Sequence, residues 1–326
     1  MIILGIESTA HTFGVAVIDD SKILSNVKDS YFTEKGGMIP NKVADHHVEV
    51  CNKVVKKALE KAKVKLKNID LIAFSQGPGL GHALRIGAVT ARTLAIKLNK
   101  PIIGVNHCVA HLGIGKLLTK AKDPVLLYAS GANTQVIAYE GKKYHIFGET
   151  LDMGVGNFLD SFARFLELGF PGGPKIEQLA KKGKFVGIPY VVKGMDVSFG
   201  GILTNIKQKF KQGIKKEDLC YSVQETVFAM LLEVAERAMA HCDKSELLLG
   251  GGVACNSRLK EMSEKMCKDR DAKCFIPANE FLVDNAAMIA WLGLVEYNAG
   301  IRMKLNETEI KPYERTDDVV VKWRKE

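Results

Sequence analysis

Two histidines four residues apart are the first feature of this chain that could perform chemistry. His107 and His111 follow the apolar segment 101–106, which predicts a buried strand that ends where a helix begins. Residues four apart lie on one face of a helix, so both imidazoles could bind one metal ion. Without a third ligand, one histidine at a helix cap and another packed or solvated nearby explain the pair equally well. The zinc-protease pattern also requires Glu directly after the first His, and Cys108 occupies that position.

Carboxylates that could complete a metal site or bind a ribose stand at four positions. Asp152 and Asp160 flank a glycine-rich turn, the second of them in a predicted helix, and Glu177 lies at the start of the next helix. Such groups accept hydrogen bonds from ribose hydroxyls or hold metal-bound water, whereas capping and solvation explain most acidic residues. Asp284 begins the last predicted helix and is the candidate third ligand. N-capping of that helix accounts for Asp284 equally well.

Four glycine-rich loops follow a predicted strand or precede a predicted helix. They occupy residues 75–79, 130–133, 170–174 and 250–256. Glycine lets main-chain N–H groups approach an anion closely, and the start of a helix adds a favourable dipole. One such loop indicates only a turn, but four in one chain predict a nucleotide-binding cleft. None matches the Walker loop or the GxGxxG fingerprint after the first strand, so P-loop and Rossmann folds are disfavoured.

An internal repeat organises the elements that must position these groups. The segment from Leu4 to Val17 aligns without gaps on the segment from Leu126 to Tyr139, with identical Ser, Ala and Thr at the turn. Each copy predicts a strand, a turn of small residues and a second strand, although unrelated hairpins with such turns also look alike. With the strand–helix alternation between the copies, the repeat predicts an α/β protein with two similar lobes.

The length of 326 residues is sufficient for about two domains. We place an N-terminal lobe that carries the histidine pair at 1–125. A C-terminal lobe at 126–326 then contains a helical insertion, the final helix and a charged tail. The 47% hydrophobic and 25% charged residues are typical of a globular protein, and no apolar run is long enough to span a bilayer. The first residues resemble a strand rather than a signal peptide, which predicts a cytoplasmic protein.

Cysteines and charge restrict the function further. The seven cysteines include no CxxC pair, which argues against a disulfide framework and a thiolate zinc site. The net charge of +9 permits a polyanionic partner such as nucleic acid. Much of the lysine excess lies at 53–67 with roughly helical spacing, so a solvated helix face is the simpler explanation there.

Longer motifs occur along nearly the whole chain. They are GIESTAHT at 5–12, EKGG at 34–37, SQGPGLG at 75–81, NHCVAH at 106–111, YASGANTQ at 128–135, FPGGPK at 170–175, GGVACNSRL at 251–259 and DNAAMIA at 284–290. The chain resembles the tRNA threonylcarbamoyladenosine synthase family, which comprises TsaD in bacteria and the catalytic subunit of the KEOPS complex in archaea and eukaryotes. Tyr128, Asn133 and Gln135 resemble the archaeal and eukaryotic branch.

The resemblance implies the fold of actin, heat-shock ATPases and sugar kinases, with two duplicated lobes around a nucleotide cleft. It implies transfer of a threonylcarbamoyl group from threonylcarbamoyl-AMP to the N6 amine of the adenosine beside the tRNA anticodon. It also implies one iron or zinc ion, with the ligands His107, His111, Asp284 and Tyr128. The adenylate, or an ATP or AMP analogue, would contact Tyr128, Ala129, Ser130, Gly131, Ala132, Asp160, Gly173, Glu177 and Asn256.

The same resemblance implies the partners of the chain. They are tRNA and the KEOPS subunits, among them the dimerisation subunit and a small atypical kinase that some archaea fuse to this family member. No membrane is implied. The charged tail after Ile301 would suit such a fusion junction. No residue stands out as a general base for the incoming amine.

Five positions depart from the usual family pattern, among them Cys255 and Ser257 on either side of Asn256. Ala132 replaces a glycine of YxSGGN, Gly200 replaces a serine of MDxSFSG, and Ala286 replaces the glycine after Asp-Asn. A methyl group at position 132 would narrow the approach of its loop to a ligand. None of these changes removes an implied metal ligand.

Three other functions stay open on the sequence. An actin-like ATPase or small-molecule kinase would share the glycine-rich loops without needing the histidine pair. A non-catalytic nucleotide-binding scaffold would bind the adenylate without turning it over. A metallopeptidase is the least favoured because the Glu of its motif is missing.

Overall fold

The computed structural model of the chain describes residues 1–20, 22–33 and 38–324. The EKGG motif at 34–37 lies outside the described residues. The strands, in chain order, are β1 (Ile3–Glu7), β2 (Thr12–Ile18), β3 (Ile23–Ser30), β4 (Leu71–Gly77), β5 (Ile102–Asn106), β6 (Val125–Ala129), β7 (Thr134–Glu140), β8 (Lys143–Glu149), β9 (Val192–Lys193), β10 (Asp196–Val197), β11 (Glu246–Gly250) and β12 (Lys273–Phe275). The helices are α1 (Pro40–Ala62), α2 (Gly81–Leu98), α3 (His107–Leu118), α4 (Val155–Phe165), α5 (Gly173–Ala180), α6 (Gly200–Lys211), α7 (Lys216–His241), α8 (Ser257–Asp269), α9 (Asn279–Leu282) and α10 (Ala286–Asn298).

The fold is built on two five-stranded mixed sheets. The first has the order β3-β2-β1-β4-β5, in which β1 pairs antiparallel with β2 and parallel with β4. The second has the order β12-β11-β6-β7-β8, in which β6 pairs antiparallel with β7 and parallel with β11. The same topology therefore occurs twice, and the predicted α/β class with two similar sheets is confirmed.

The internal repeat locates equivalent strands in the two sheets. The shift that carries Leu4 onto Leu126 also carries β1 onto β6 and β2 onto β7, at both ends of each strand. The two segments occupy the same places in the two sheets, so they are not merely hairpins with similar turns.

The chain divides into two compact units whose membership does not follow chain order. Unit 1 comprises residues 1–32, 38–117 and 284–326, and unit 2 comprises residues 33–37 and 118–283. The final helix and the tail therefore belong with the first sheet, and the predicted lobe at 126–326 is wrong in including them. The reason is that α10 is apolar around its circumference and packs on β1, β2 and β4.

Glycine makes this packing of helix on strand possible. A Cβ on Gly5 of β1 would lie 2.5 Å from the Ala286 carbonyl oxygen and 2.7 Å from the Ala290 Cβ. On the same face, a Cβ on Gly293 of α10 would lie 2.5 Å from the Ala73 Cβ of β4. Helix and sheet approach closely because these side chains are absent or small.

The core of unit 2 is built around the long helix α7. Its side chains are buried against the second sheet and against α5 and α8. The helix runs from Lys216 to His241, and Leu219 and Cys220 of its first turns are already buried. No described helix has the combination of length and apolar composition that crossing a bilayer requires.

Replacing Gly5 with Ala should destabilise the chain, whereas the same change at Gly14 should not. At position 14 the nearest atom to a new Cβ is 3.5 Å away, which is an ordinary contact, so Gly14→Ala is a matched control. We expect Gly5→Ala to lower the free energy of unfolding by about 1–3 kcal/mol, and Gly14→Ala by less than about 0.5 kcal/mol. Urea unfolding followed by circular dichroism measures both values. Equal stabilities of the two variants would contradict the packing of α10 on β1.

A buried histidine connects α1 to the turn after β1. His47 is fully buried, and its Nε2 donates to the Ala10 carbonyl oxygen at 3.1 Å. Its Nδ1 lies 3.2 Å from the Nδ1 of His46, whose Nε2 is 2.8 Å from an Asp29 carboxylate oxygen. Burial, with a smaller contribution from His46, lowers the pKa of His47 to about 4.

His47 should make the stability of the chain depend on pH. Because its pKa is about 4 in the folded state and 6.5 ordinarily, the unfolded chain binds this proton first as the pH falls. The contribution of neutral His47 to the free energy of unfolding is fully present above pH 6.5. It is lost as the pH falls towards 4, and the total loss is at most about 3 kcal/mol. We expect His47→Gln, whose amide can still donate to Ala10, to lose less stability over this range in urea unfolding. Parallel stability curves for wild type and variant would show that another group titrates.

Candidate metal centre and ligand-binding loops

Asn106, the last residue of β5, caps the helix that carries both histidines. Its Oδ1 accepts hydrogen bonds from the N–H groups of Cys108 and Val109, at 3.0 and 3.1 Å. Its Nδ2 donates to a carboxylate oxygen of Glu314 in the C-terminal tail, at 3.1 Å. The cap of α3 is therefore an asparagine, and the alternative of a capping histidine is wrong for His107.

The histidine pair lies on one face of α3, as the spacing predicted. The ring centroids of His107 and His111 are 4.9 Å apart, and the ring planes are at 82°. Both side chains are buried, with 4% and 2% of their surface exposed. One helical turn thus holds two imidazoles close together in a place from which water is largely excluded.

Asp284 brings a carboxylate to both imidazoles from a distant part of the sequence. Its Oδ1 lies 3.4 Å from His107 Nε2 and 3.6 Å from His111 Nε2. The N-cap of α10 is Asn285, whose side chain accepts from the Met288 N–H at 3.1 Å. Asp284 therefore precedes the helix and does not cap it, so its carboxylate faces the histidines.

These three residues form a donor set that suits a metal ion. One ligand atom from each of His107, His111 and Asp284 lies within 4.8 Å of the other two. Two imidazole nitrogens and one carboxylate oxygen are a combination that binds zinc and non-haem iron. The chemistry of the donors therefore fits either of the two ions that the resemblance implies.

The imidazoles also determine the charge of Asp284. Burial alone would raise the pKa of this carboxyl, but the two imidazoles that approach it, those of His107 and His111, outweigh burial and hold its pKa well below the ordinary value. Burial lowers the pKa of His111, which favours its neutral form. An ionised carboxylate and a neutral imidazole are the forms in which these groups bind metals.

Glu7 is a candidate positioning residue that the sequence analysis missed. It is fully buried at the end of β1, and its Oε2 lies 3.0 Å from His107 Nδ1. The Thr9 N–H donates to the other oxygen at 2.7 Å, and the Thr9 hydroxyl lies 3.2 Å from the same imidazole nitrogen. A carboxylate on the second nitrogen of a metal-binding histidine fixes its tautomer and orientation. The available signal was a lone carboxylate at the end of an otherwise apolar strand.

The glycine-rich loop at 75–79 packs against the C-terminal tail. The Gln76 side chain donates to the carbonyl oxygens of Glu307 and Glu309, at 3.0 and 2.7 Å. A Cβ on Gly77 would lie only 1.9 Å from the Lys311 carbonyl oxygen. Glycine here permits close packing within unit 1, so this loop is not an open cradle for an anion.

The turn after β6 in unit 2 contacts the start of α4 and the loop after β11. The Asn157 N–H donates to the Gly131 carbonyl oxygen at 2.9 Å. Gly251 has a φ of 90°, and a Cβ there would lie 2.3 Å from the Ala129 carbonyl oxygen. Because β6 and β11 are parallel, their loops leave the same edge of the sheet. Two of the four predicted glycine-rich loops are therefore neighbours.

Asp160 fixes the third of these loops. Its Oδ1 accepts from the Gly172 N–H at 2.7 Å, which joins the middle of α4 to the start of α5. A Cβ on Gly173 would meet no atom within 4 Å. The first residue of α5 therefore has open space around it, while Asp160 holds the preceding backbone.

Glu177 lies close to Asn256 because it accepts hydrogen bonds from Ser257, the residue that follows Asn256. The Ser257 N–H donates to Glu177 Oε1 at 2.9 Å, and its hydroxyl donates to the same oxygen. Asn256 caps α8 through the Arg258 N–H at 2.9 Å and donates to Gln224 at 2.6 Å. The structure thus brings together two of the residues that the resemblance assigns to the adenylate.

Two other predicted residues have different surroundings. Tyr128 belongs to unit 2, is 1% exposed and pairs within the second sheet at the end of β6. Asp152 accepts from the main-chain N–H groups of Phe199 and Gly200, and these bonds outweigh burial and lower its pKa to about 2. Asp152 therefore has a structural role, in which its carboxylate holds the start of α6.

Cys108 does not supply the base that a zinc protease needs beside its first histidine. Its side chain is 1% exposed, and burial raises the pKa of the thiol. A buried, protonated thiol has neither the charge nor the access to activate water. The structure gives no support to the peptidase alternative.

Comparison with known proteins identifies relatives along the whole chain. A family described as "TsaD: tRNA N6-adenosine threonylcarbamoyltransferase" matches residues 22–291. A tRNA N6-adenosine threonylcarbamoyltransferase of Thermococcus sibiricus is 54% identical over 325 residues, which cover 99% of this chain and 100% of the relative. A probable bifunctional tRNA threonylcarbamoyladenosine biosynthesis protein of Methanocaldococcus jannaschii is 54% identical over 328 residues, covering 100% of this chain and 61% of the relative.

Solved structures with a similar fold are more distant in sequence. HypF of T. kodakarensis has a TM-score of 0.65 at 15% identity, covering 92% of this chain and 48% of that chain. The activator of 2-hydroxyisocaproyl-CoA dehydratase from Clostridium difficile, with bound ADPNP, has a TM-score of 0.57 at 11% identity and covers 93% and 99%. At this identity the likeness concerns the fold alone, and it confirms the predicted actin-like, sugar-kinase-like class.

Proposed function

This chain belongs to the TsaD family and is a transferase of threonylcarbamoyladenosine synthesis in tRNA, and we propose that its histidine–aspartate cluster is the metal centre of the transfer. The donor is threonylcarbamoyl-AMP, and the acceptor is the N6 amine of the adenosine beside the anticodon. The observation that carries this proposal is the approach of Asp284 Oδ1 to Nε2 of both His107 and His111. Neither a sugar kinase nor a nucleotide-binding scaffold requires such a donor set, with two buried imidazoles and a partly buried carboxylate.

The metal would be iron or zinc, and His107, His111 and Asp284 would hold it, with Tyr128 proposed as a further ligand. The first three form the donor set of unit 1. Tyr128 is included on the resemblance, and a phenol oxygen is a reasonable ligand for either ion. When bound, the ion supplies Lewis acidity that polarises the carbamoyl carbonyl.

The transfer needs positioning more than strong acid–base chemistry. The amine nitrogen forms a bond to the carbamoyl carbon, the bond from that carbon to the phosphate oxygen breaks, and AMP leaves with the electron pair while the amine loses a proton. Because AMP is a good leaving group, orientation and charge stabilisation account for most of the acceleration. We assign no general base.

The adenylate is bound by the loops of unit 2. Main-chain groups of residues 128–132 and Gly173 approach the donor, while Asp160, Glu177 and Asn256 provide polar side chains. The adjacency of the loops after β6 and β11, and of Glu177 with Asn256, supports this assignment. The methyl group of Ala132 restricts the approach at one point of the first loop.

The partners that we propose are tRNA and the KEOPS subunits, including the small atypical kinase and the dimerisation subunit. Relatives named as bifunctional are longer than this chain, which supports a fused kinase in those proteins. The compartment that we propose is the cytoplasm.

Replacing Glu7 with Gln should weaken metal binding without unfolding the chain. Gln still fits the site but removes the negative charge that orients and strengthens His107 as a ligand, so we expect about a 10-fold or greater loss of affinity. Titration with Co²⁺, followed by its visible absorption, measures the affinity independently of catalysis. Glu296→Gln is the control for a Gln at a buried acidic position of unit 1, and because burial raises the pKa of Glu296 to about 8, this change removes little charge at neutral pH.

The control should bind Co²⁺ as the wild type does, and the thermal stability of both variants should stay close to that of the wild type. Equal affinity of Glu7→Gln and wild type would remove Glu7 from the site without affecting the ligands. A wild-type chain that binds no Co²⁺ would contradict the metal centre itself.

The activity is tested with purified chain of known metal content, threonylcarbamoyl-AMP, unmodified tRNA and the partner subunits. Mass analysis of the tRNA nucleosides should show threonylcarbamoyladenosine, and Asp284→Ala should reduce its formation at least about 100-fold because a metal ligand is lost. Full-rate transfer by Asp284→Ala or His107→Ala would show that the cluster has no part in the reaction. ATP-dependent phosphorylation of a sugar, or adenylate binding without turnover, would instead support the kinase or the scaffold.

A further inference from the structure

Unit 2 contains the longer of two strongly basic segments of the chain. Residues 173–216 contain ten lysines and, as acids, only Glu177 and Asp196, so this segment alone has a formal charge of +8. The whole chain has a charge of +9. The segment at 53–67 is also strongly basic, with seven lysines, Glu60 as its single acid and a formal charge of +6.

The fold brings the lysines at the two ends of this segment together. The Lys184 N–H donates to an Asp218 carboxylate oxygen at 2.8 Å, and a Cβ on Gly183 would lie 2.1 Å from the Glu217 carbonyl oxygen. The turn after α5 therefore lies against the start of α7, directly after the connection from α6. The lysine edge, as we name this surface, comprises Lys181, Lys182, Lys184, Lys209, Lys211, Lys215 and Lys216.

The charge of the lysine edge is not neutralised by the described part of the chain. None of its seven lysines forms an ion pair with a described residue, whereas Lys244 of the same unit binds both Asp123 and Glu140. Six of the seven are exposed, and Lys209 is partly exposed. Glu217 and Asp218 are the acids at this edge, so lysines outnumber them. Unpaired exposed lysines produce a positive potential that extends into solvent.

Aromatic side chains are interleaved with these lysines. Phe185, next to Lys184, is 60% exposed, and Phe210, between two lysines of α6, is 37% exposed. The Phe210 ring is supported from behind by Phe165, with ring centroids 5.6 Å apart. Exposed rings in a basic surface provide stacking platforms for unpaired bases. An acidic protein partner would be attracted by the lysines but would not use the exposed aromatic rings.

We propose that the lysine edge binds the RNA substrate, with its lysines on phosphates and Phe185 and Phe210 against bases of a single-stranded part. This inference rests on the proposed function only for the identity of the RNA. The other basic stretch, at 53–67, contains no Phe, Tyr or Trp and therefore offers charge alone. Phosphate contacts supply most of the affinity, and stacking distinguishes single-stranded RNA from other polyanions.

The test compares two triple variants with the same change in net charge. The edge variant is Lys211→Glu/Lys215→Glu/Lys216→Glu, and the control is Lys53→Glu/Lys57→Glu/Lys61→Glu on α1. Glu at positions 215 and 216 suits the start of α7, so the edge variant should fold. Filter binding of an unmodified tRNA transcript to the full chain, over a range of salt concentrations, gives affinity and salt dependence.

The edge variant should bind the transcript at least about 10-fold more weakly, with the slope of log affinity against log salt reduced by about 2 to 3. The control should stay within about 3-fold of the wild type. If the lysines of α1 contacted phosphates, losing three of them would weaken binding by far more than that. Phe185→Leu should lose about 5-fold or more because stacking is removed while an apolar side chain is kept. Co²⁺ affinity should be unchanged in all three variants.

Equal losses in the edge variant and the control would overturn the proposal, because net charge alone would then explain binding. It would also be overturned if the edge variant kept tRNA affinity and lost binding only to polyglutamate, which would identify an acidic protein surface. A wild-type chain that binds no transcript would overturn it too. The metal centre is assessed separately by Co²⁺ titration and transfer from the adenylate, so its failure is distinguishable from any of these results.

Discussion

Asp284 reaches the two histidines because α10 packs across the first sheet, and the candidate metal centre depends on this packing. The distance in sequence between the histidines and the aspartate has to be closed by tertiary structure alone. Gly5 and Ala286 allow α10 to lie directly on β1, and Asn285 caps the helix in place of its neighbour. The cap leaves the Asp284 carboxylate available to the histidines. A bulkier contact at β1 would move the whole start of α10.

The buried charges of the centre follow from the same arrangement. Glu7 and Asp284 place two carboxylates around His107, one at each ring nitrogen. Buried carboxylates need a compensating positive charge or several hydrogen bonds. Here the imidazoles and the Thr9 N–H provide hydrogen bonds, and a divalent cation would compensate the charge more completely. The cluster therefore makes more sense as a metal site than as a structural ion pair, which would need only one carboxylate.

The sequence predicted the repeated parts of this fold well and the contacts between distant segments poorly. The repeat aligned β1 with β6 and β2 with β7 in sequence, with matching first and last residues. This succeeded because alternation and turn chemistry are local properties. The final helix was assigned to the wrong unit since a boundary drawn along the chain cannot show which sheet a helix covers. Glu7 was missed because a carboxylate at a strand end looks like a polar terminus until its partner is known. The loop at 75–79 was misjudged because glycine serves close packing and ligand approach alike.

The repeat also places one backbone element in two different surroundings. The turn after β1 and the turn after β6 both accept a hydrogen bond from the start of a helix: Leu80 N–H donates to the Thr9 carbonyl at 2.8 Å, and Asn157 N–H donates to the Gly131 carbonyl at 2.9 Å. Thr9 and Gly131 are equivalent in the repeat. In unit 1 the Thr9 hydroxyl of this turn contacts the His107 imidazole, so the polar groups of the turn keep that side chain in place. In unit 2 the equivalent residue has no side chain, and the turn keeps its main chain accessible to a ligand. The duplicated backbone thus has the same form in both units, while the residues at its turn differ: in unit 1 they hold a candidate metal ligand, and in unit 2 they leave main chain free for the nucleotide binding that we propose.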